Sequence, residues 1–318
     1  MSKLDLIELQ RFIPARVKYT LKPYYRKIFS NKLVVLLNPT WRCNYRCSYC
    51  CVVTKFAYTS VVPKAGERSG EEWVQGLEKL PPAAVYICGG EPFVYADIPV
   101  LVNRLPEKHS LIGIVTNLSQ PASVYRKIEK RIHLNASFHR EHTNGEEFLA
   151  KIKELSPHFH IQVNIVATPE NLLVLEQISD ELATAGVDLH VDPYVDIGFH
   201  YSPDQLNILH RYITPDRKPE TQLDFDDYSP KLCSAGRNYV NFAPDGSAYT
   251  CQGGMNYLHS PLHAGMAEGR ELGHFRLKNL FDEDFRLNTE DVLCSMPCNI
   301  ACDRDSTIIR PKKLARSS

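Results

Sequence analysis

The chain has 318 residues, 37 basic and 37 acidic side chains, and ten cysteines. That length suits one large domain with a smaller one, and zero net charge gives no overall field for nucleic acid. No apolar run approaches the ~20 residues that cross a bilayer. The early acidic residues of "MSKLDLIELQRFIPARV" argue against a secretory signal, so the expectation is a cytoplasmic protein with reduced cysteines.

In chain order, residues 1–32 form a basic arm. Arg11, Arg16, Lys18, Lys22, Arg26, Lys27 and Lys32 face only Asp5 and Glu8, with apolar residues interleaved. One or two short amphipathic helices fit this pattern, either packed on the next domain or making a weak peripheral contact with an anionic surface such as lipid. Six apolar runs then alternate with helical patterns. The strands are expected at 33–38, 84–90, 110–117, 132–138, 160–167 and 187–195. The helices are expected near 70–80, 97–105, 121–130, 145–155, 170–185 (stopped by Gly186) and 203–212. Strands joined by crossover helices imply a parallel sheet with right-handed connections. Six units are too few for a closed eightfold barrel, so residues 33–215 are expected to form an α/β partial (β/α)6 TIM-like barrel. Its site should lie at the carboxyl ends of the strands.

From 216 to 318 the alternation stops. "YVNFAPDGSAYTC" (239–251) reads as a β-hairpin around a PDG turn, and Cys233, Cys251, Cys294, Cys298 and Cys302 all fall in this stretch. A second, small, cysteine-rich domain is expected there.

"WRCNYRCSYCC" (41–51) places Cys43, Cys47 and Cys50 as C-x3-C-x2-C in the loop after the first strand. Such a loop can wrap three thiolates around one centre. Zinc prefers paired ligands and would need a fourth from elsewhere. A chance cluster of exposed thiols would oxidise. A 4Fe–4S cluster accepts three thiolates and leaves one iron open.

With Tyr49 just before the last cysteine, "GGEPF" (Gly89, Gly90, Glu91, Pro92, Phe93) ending the second strand and Thr116-Asn117 ending the third, the sequence resembles the radical S-adenosylmethionine (radical SAM) superfamily over roughly 33–215. The resemblance implies that Cys43, Cys47 and Cys50 hold a 4Fe–4S cluster whose open iron chelates S-adenosylmethionine. Reductive cleavage then gives a 5′-deoxyadenosyl radical that abstracts a substrate hydrogen. It also implies cofactor contacts from the Tyr49 backbone, from Gly89, Gly90, Glu91 and Pro92, and from Asn117 and Ser137 at strand ends. A reductant such as flavodoxin or ferredoxin is implied as a partner. Gly89 and Gly90 would let backbone approach the cofactor.

Cys233, Gly246 and Cys251 are spaced C-x12-G-x4-C, and Cys294, Cys298 and Cys302 follow. This resembles the SPASM auxiliary domains of the same superfamily, in the shorter twitch form with a second 4Fe–4S cluster. A structural zinc site is the alternative. Cys51 and Cys88 belong to neither set. Cys88 is a candidate hydrogen donor to a substrate radical, or a small buried strand residue. His139 and His142 in "FHREH" are either metal ligands or a satisfied loop pair. Asp192, Tyr194 and Asp196 share one strand face and bind a polar substrate or stand solvated. The expected function is oxidation or modification of a peptide, small natural product or carbohydrate. An iron–sulfur electron carrier and a zinc-binding interaction module are the rivals.

Overall fold

The structure, a computed structural model, describes residues 33–50, 52, 66–194, 199–213, 228–260 and 263–298, together with the backbone of 308–309. The basic arm, Cys51, Asp196 and Cys302 lie outside the described residues. Leu33–Ser318 form one compact unit.

β1 (Leu33–Leu37) alternates buried and half-buried positions, and its end leads into the cysteine loop. α1 (Gly70–Glu78) starts at a capping box: the Ser69 side chain accepts from Glu72 N, and Glu72 accepts from Ser69 N. Trp73, Gly76 and Leu77 bury one face of α1. β2 (Ala83–Ile87), α2 (Ile98–Asn103), β3 (Ser110–Thr116), α3 (Ala122–Tyr125) and β4 (His133–Ser137) follow. In α4 (Gly145–Leu155), Phe148, Ile152 and Leu155 recur at helical spacing and are buried, and Asn144 caps the start. β5 (His160–Ala167) is followed by α5 (Pro169–Leu172) and α6 (Leu175–Thr184). The single helix expected over 170–185 is therefore two. Thr168 caps a first short turn with Pro169 at its start, and Val174, at φ −122° and ψ 5°, begins the second. Gly186, at φ +69°, ends α6 as expected. β6 (Asp188–Pro193) and α7 (Pro203–Leu209) complete the sixth unit.

The chain continues through β7 (Lys231–Cys233), β8 (Tyr239–Phe242), β9 (Ala248–Tyr249), α8 (Gln252–His259), α9 (Ala264–Ala267), β10 (Val292–Cys294) and β11 (Ile308–Ile309). The large sheet runs β6-β5-β4-β3-β2-β1-β8-β9. Strands β1 to β6 pair in parallel with their sequence neighbours, as expected for a partial barrel. Val35, Leu37, Val85, Ile87, Leu134 and Val163 are fully buried in the core that also holds Trp73 and Leu77.

The expected hairpin is present as β8–β9, but its first strand pairs in parallel with β1, so the sheet crosses the expected boundary at 215/216. The physical reason is the exposed hydrogen-bonding edge β1 would otherwise present. β8 is buried at all four positions and covers that edge. Asn38 Nδ2 fixes the join by donating to Asn241 Oδ1 at 2.6 Å and to Phe242 O at 2.8 Å. A separate three-stranded sheet, β10-β7-β11, brings Val292 and Ile308 beside Cys233. Among the described residues, no helix is long and apolar enough to cross a membrane.

Candidate active site

The carboxyl ends of β1 to β4 converge on the cysteine loop. The segment after β2 zips onto it. Cys88 N donates to Leu37 O (2.9 Å), Gly90 N to Thr40 O (2.9 Å) and Glu91 N to Arg42 O (2.8 Å). This gives the glycines a nearer reason than cofactor approach. A Cβ on Gly89 would lie 2.4 Å from Thr40 O, and one on Gly90 would lie 2.1 Å from Arg42 O. Gly89 also holds φ at +117°. The pair is required for the second strand to dock the cysteine loop.

Glu91 is buried and accepts from Phe93 N (3.0 Å) and Thr116 Oγ1 (2.8 Å) through one oxygen and from Asn117 N (2.6 Å) through the other. Burial pushes its carboxyl up to about 7, against the opposing pull of those hydrogen bonds. Both oxygens are committed to protein donors, so the observed role of Glu91 is to lock the end of β3 beside the loop. Pro92 opens a short 3-10 turn capped by Glu91. Asn117 Nδ2 donates to Asn44 Oδ1 (3.1 Å), tying the third strand to the cysteine loop. Leu118 next to it is the one described non-glycine residue at positive φ, 54°. Ser137 ends β4 in register with Asn164 of β5.

Cys43 Sγ accepts from Tyr45 N at 3.4 Å, and Cys50 Sγ accepts from Val52 N at 3.4 Å. Burial raises the Cys43 thiol, and burial together with neighbouring Cys50 pushes Cys47 up to about 12. A cationic centre bound here must displace the thiol protons, because metal ligation takes the thiolate. A single tetrahedral zinc, with Zn–S near 2.3 Å, would need its sulfurs about 3.8 Å apart. Among the described residues, the ligating side chains whose donor atoms all lie within 4.8 Å of one another are Cys47, Glu141 and His142, and no trio of cysteines is that close. In an iron–sulfur cube each thiolate binds a different iron, so the three sulfurs need not converge on one point. Cys88, the residue after β2, donates from Sγ to Asn38 Oδ1 at 3.2 Å.

His139 and His142 are not an isolated pair. They follow β4 and reach the cysteine loop: His139 Nδ1 lies 2.9 Å from Tyr49 Oη and 3.3 Å from Cys47 Sγ. Sequence distance hid this contact, since Cys47 and His139 stand 92 positions apart. On the sheet face turned away from the helices, Asn164 is in register with His190, and His190 Nε2 lies 3.2 Å from Asp192 Oδ1. Asn164 Oδ1 is buried with no hydrogen-bond partner among the described residues. Tyr194 N donates to Tyr201 Oη at 2.5 Å, while Asp196 lies outside the described residues.

The second cysteine set surrounds a cavity lined by Cys233, Cys251, Cys294 and Cys298. β7 carries Cys233, β10 carries Cys294, and Cys251 caps α8, its Sγ accepting from Gly254 N at 3.1 Å. Burial and Cys233 raise the Cys294 thiol, and burial raises Tyr257, with Cys298, Cys251 and Cys294 adding to it. Thr250 Oγ1 and His274 Nε2 line the same cavity, buried and without hydrogen-bond partners among the described residues. Four thiols and two orphaned polar atoms around one cavity fit a bound inorganic group with acceptor atoms of its own, as the sulfides of an iron–sulfur cluster are.

Residues 37–228 match the Radical SAM superfamily. A relative, GTP 3′,8-cyclase of Aquifex aeolicus (strain VF5), is 25% identical over 264 aligned residues, covering 69% of this chain and 81% of the relative. Streptococcus suis SuiB bound to S-adenosylmethionine superposes with a TM-score of 0.50 at 16% identity, over 80% of this chain and 70% of SuiB. anSMEcpe with bound AdoMet and the Kp18Cys peptide superposes with a TM-score of 0.50 at 15% identity, over 79% of this chain and 78% of that one. The fold is the one the cysteine loop and GGEP strand implied, the domain match spans more than half of the chain, and the protein belongs to the radical SAM superfamily.

Proposed function

We propose that this radical SAM enzyme oxidises or otherwise modifies an uncharged, hydrogen-bonding substrate, either a peptide or a hydroxyl-bearing small molecule, with the help of a second 4Fe–4S cluster. The observation that carries the second cluster is the cavity shared by Cys233, Cys251, Cys294 and Cys298. In this reading residues 33–215 bind the first cluster and S-adenosylmethionine, and residues 216–318 supply the auxiliary domain. When bound, the first cluster and S-adenosylmethionine supply hydrogen-atom abstraction from an unactivated C–H bond.

The chain's own residues do the rest. Cys43, Cys47 and Cys50 hold the first cluster, and the Gly89–Glu91 segment fixes their loop. Asn117 and Ser137 sit at the strand ends that face it. Substrate meets Asn164, His190 and Asp192 on β5 and β6. Asn164 Oδ1 and the Asp192 carboxylate are acceptors, so they favour a ligand that presents N–H or O–H groups. None of the six parallel strands carries a Lys or Arg. A nucleoside triphosphate such as GTP, named for the cyclase relative, demands cationic partners and therefore suits this strand face poorly. A peptide was bound in the anSMEcpe complex, and that supports testing peptides first. The test is anaerobic incubation with reductant and S-adenosylmethionine plus peptides, glycosides or GTP in separate arms. Formation of 5′-deoxyadenosine should rise with a neutral substrate. A rise with GTP alone would overturn the substrate class.

A further inference from the structure

The loop after β4 clamps the cysteine loop over five consecutive residues. His142 stacks on Tyr45 at 4.4 Å and accepts from Arg46 N at 3.1 Å. Glu141 accepts from Ser48 N at 2.8 Å and from Ser48 Oγ at 2.5 Å. Between these anchors, His139 Nδ1 meets both Cys47 Sγ (3.3 Å) and Tyr49 Oη (2.9 Å). Glu141 and His142 are exposed, whereas His139 is half-buried and its ring packs against Tyr49 with an interplanar angle of 22°. The anchors therefore fix the loop, and His139 is the member aimed at a sulfur.

We propose that His139 is a positioning residue for the first cluster, its Nδ1–H donating a hydrogen bond to the Cys47 thiolate and raising the reduction potential of that cluster. The inference rests on the assignment of the cluster to Cys43, Cys47 and Cys50. Iron ligation requires the thiolate, which can only accept, so the shared proton must reside on Nδ1 or on Tyr49 Oη. The Glu141 and His142 contacts fix the loop that carries the ring, which favours Nδ1 as the donor. A donor to a cluster thiolate stabilises the reduced state, which carries one more negative charge, more than the oxidised state. No bond is made or broken in this role, and the imidazole keeps its proton.

The test exploits which nitrogen makes the contact. The Nδ1 position is matched by the side-chain amide of Asn, while Leu places a methyl there with no donor. Wild type, His139→Leu and His139→Asn are reconstituted anaerobically, assayed for iron, and titrated potentiometrically. The signal followed is the electron paramagnetic resonance of the cluster that responds to S-adenosylmethionine. His139→Leu should show a roughly tenfold smaller ratio of reduced to oxidised cluster at a fixed solution potential, which is 59 mV for a one-electron couple. His139→Asn should stay near wild type. Loss of iron in the Leu variant with retention in the Asn variant also supports the donor. An unchanged midpoint in iron-replete His139→Leu, or equal iron loss in both variants, would overturn the proposal by reducing His139 to packing. Absence of any signal responsive to S-adenosylmethionine in wild type would instead sink the cluster assignment beneath it.

Discussion

Glu91 collects three hydrogen bonds in full burial, and that arrangement has a consequence for pH. Its folded pKa, about 7, lies above the ordinary 4.5. The folded state therefore holds the extra proton between those values, and the stability this group contributes is lost as pH rises from 4.5 to about 7. His139 acts in the opposite sense, because burial pushes it from 6.5 down to about 4. The comparison that isolates Glu91 is Glu91→Gln against wild type before cluster loading. Urea midpoints at pH 5 and pH 7 should show a fall in wild type that is smaller or absent in the variant. A second expectation concerns Gly90. An Ala there must displace the backbone at Arg42. Gly90→Ala should unseat the cysteine loop and abolish most iron uptake at the first site, measured by iron content. The GGEP residues were legible in the sequence, but the reason for the glycines was not. Their steric partner is the cysteine loop, brought near only by β1–β2 pairing.

At the scale of elements, α1 shows why local pattern was enough. Its capping box, acidic first turn and apolar spacing all agree, so the expected 70–80 and the observed Gly70–Glu78 differ only at the end. Trp73 lies fully buried, with its ring 6.3 Å from that of Phe242 on β8. Trp73→Ala should cost about 3–5 kcal/mol, read from the urea midpoint of the loaded enzyme. Two features were not legible. The break between α5 and α6, which leaves Leu173 83% exposed, carries no Gly or Pro at 171–174 to announce it. The pairing of β8 with β1 is tertiary. "YVNF" announces a strand, but nothing in its alternation names the edge it joins.

For the whole molecule, the claim is two iron–sulfur sites with separable roles. The spacing C-x3-C-x2-C pointed to the first site because the three cysteines it groups are local in the sequence. The second needed three elements, β7, α8 and β10, to bring Cys233, Cys251 and Cys294 to one cavity, so spacing alone left its ligand set open. Cys302 lies outside the described residues. Anaerobic reconstitution should give roughly eight irons per chain, and Cys251→Ala roughly half of that. The most direct measurement is 5′-deoxyadenosine formed from S-adenosylmethionine under anaerobic reduction, compared in wild type, Cys251→Ala and the triple variant Cys43→Ala, Cys47→Ala, Cys50→Ala. Wild type and Cys251→Ala should both form it, the latter without modified product, and the triple variant should form none. Formation by the triple variant at the wild-type rate would contradict the account.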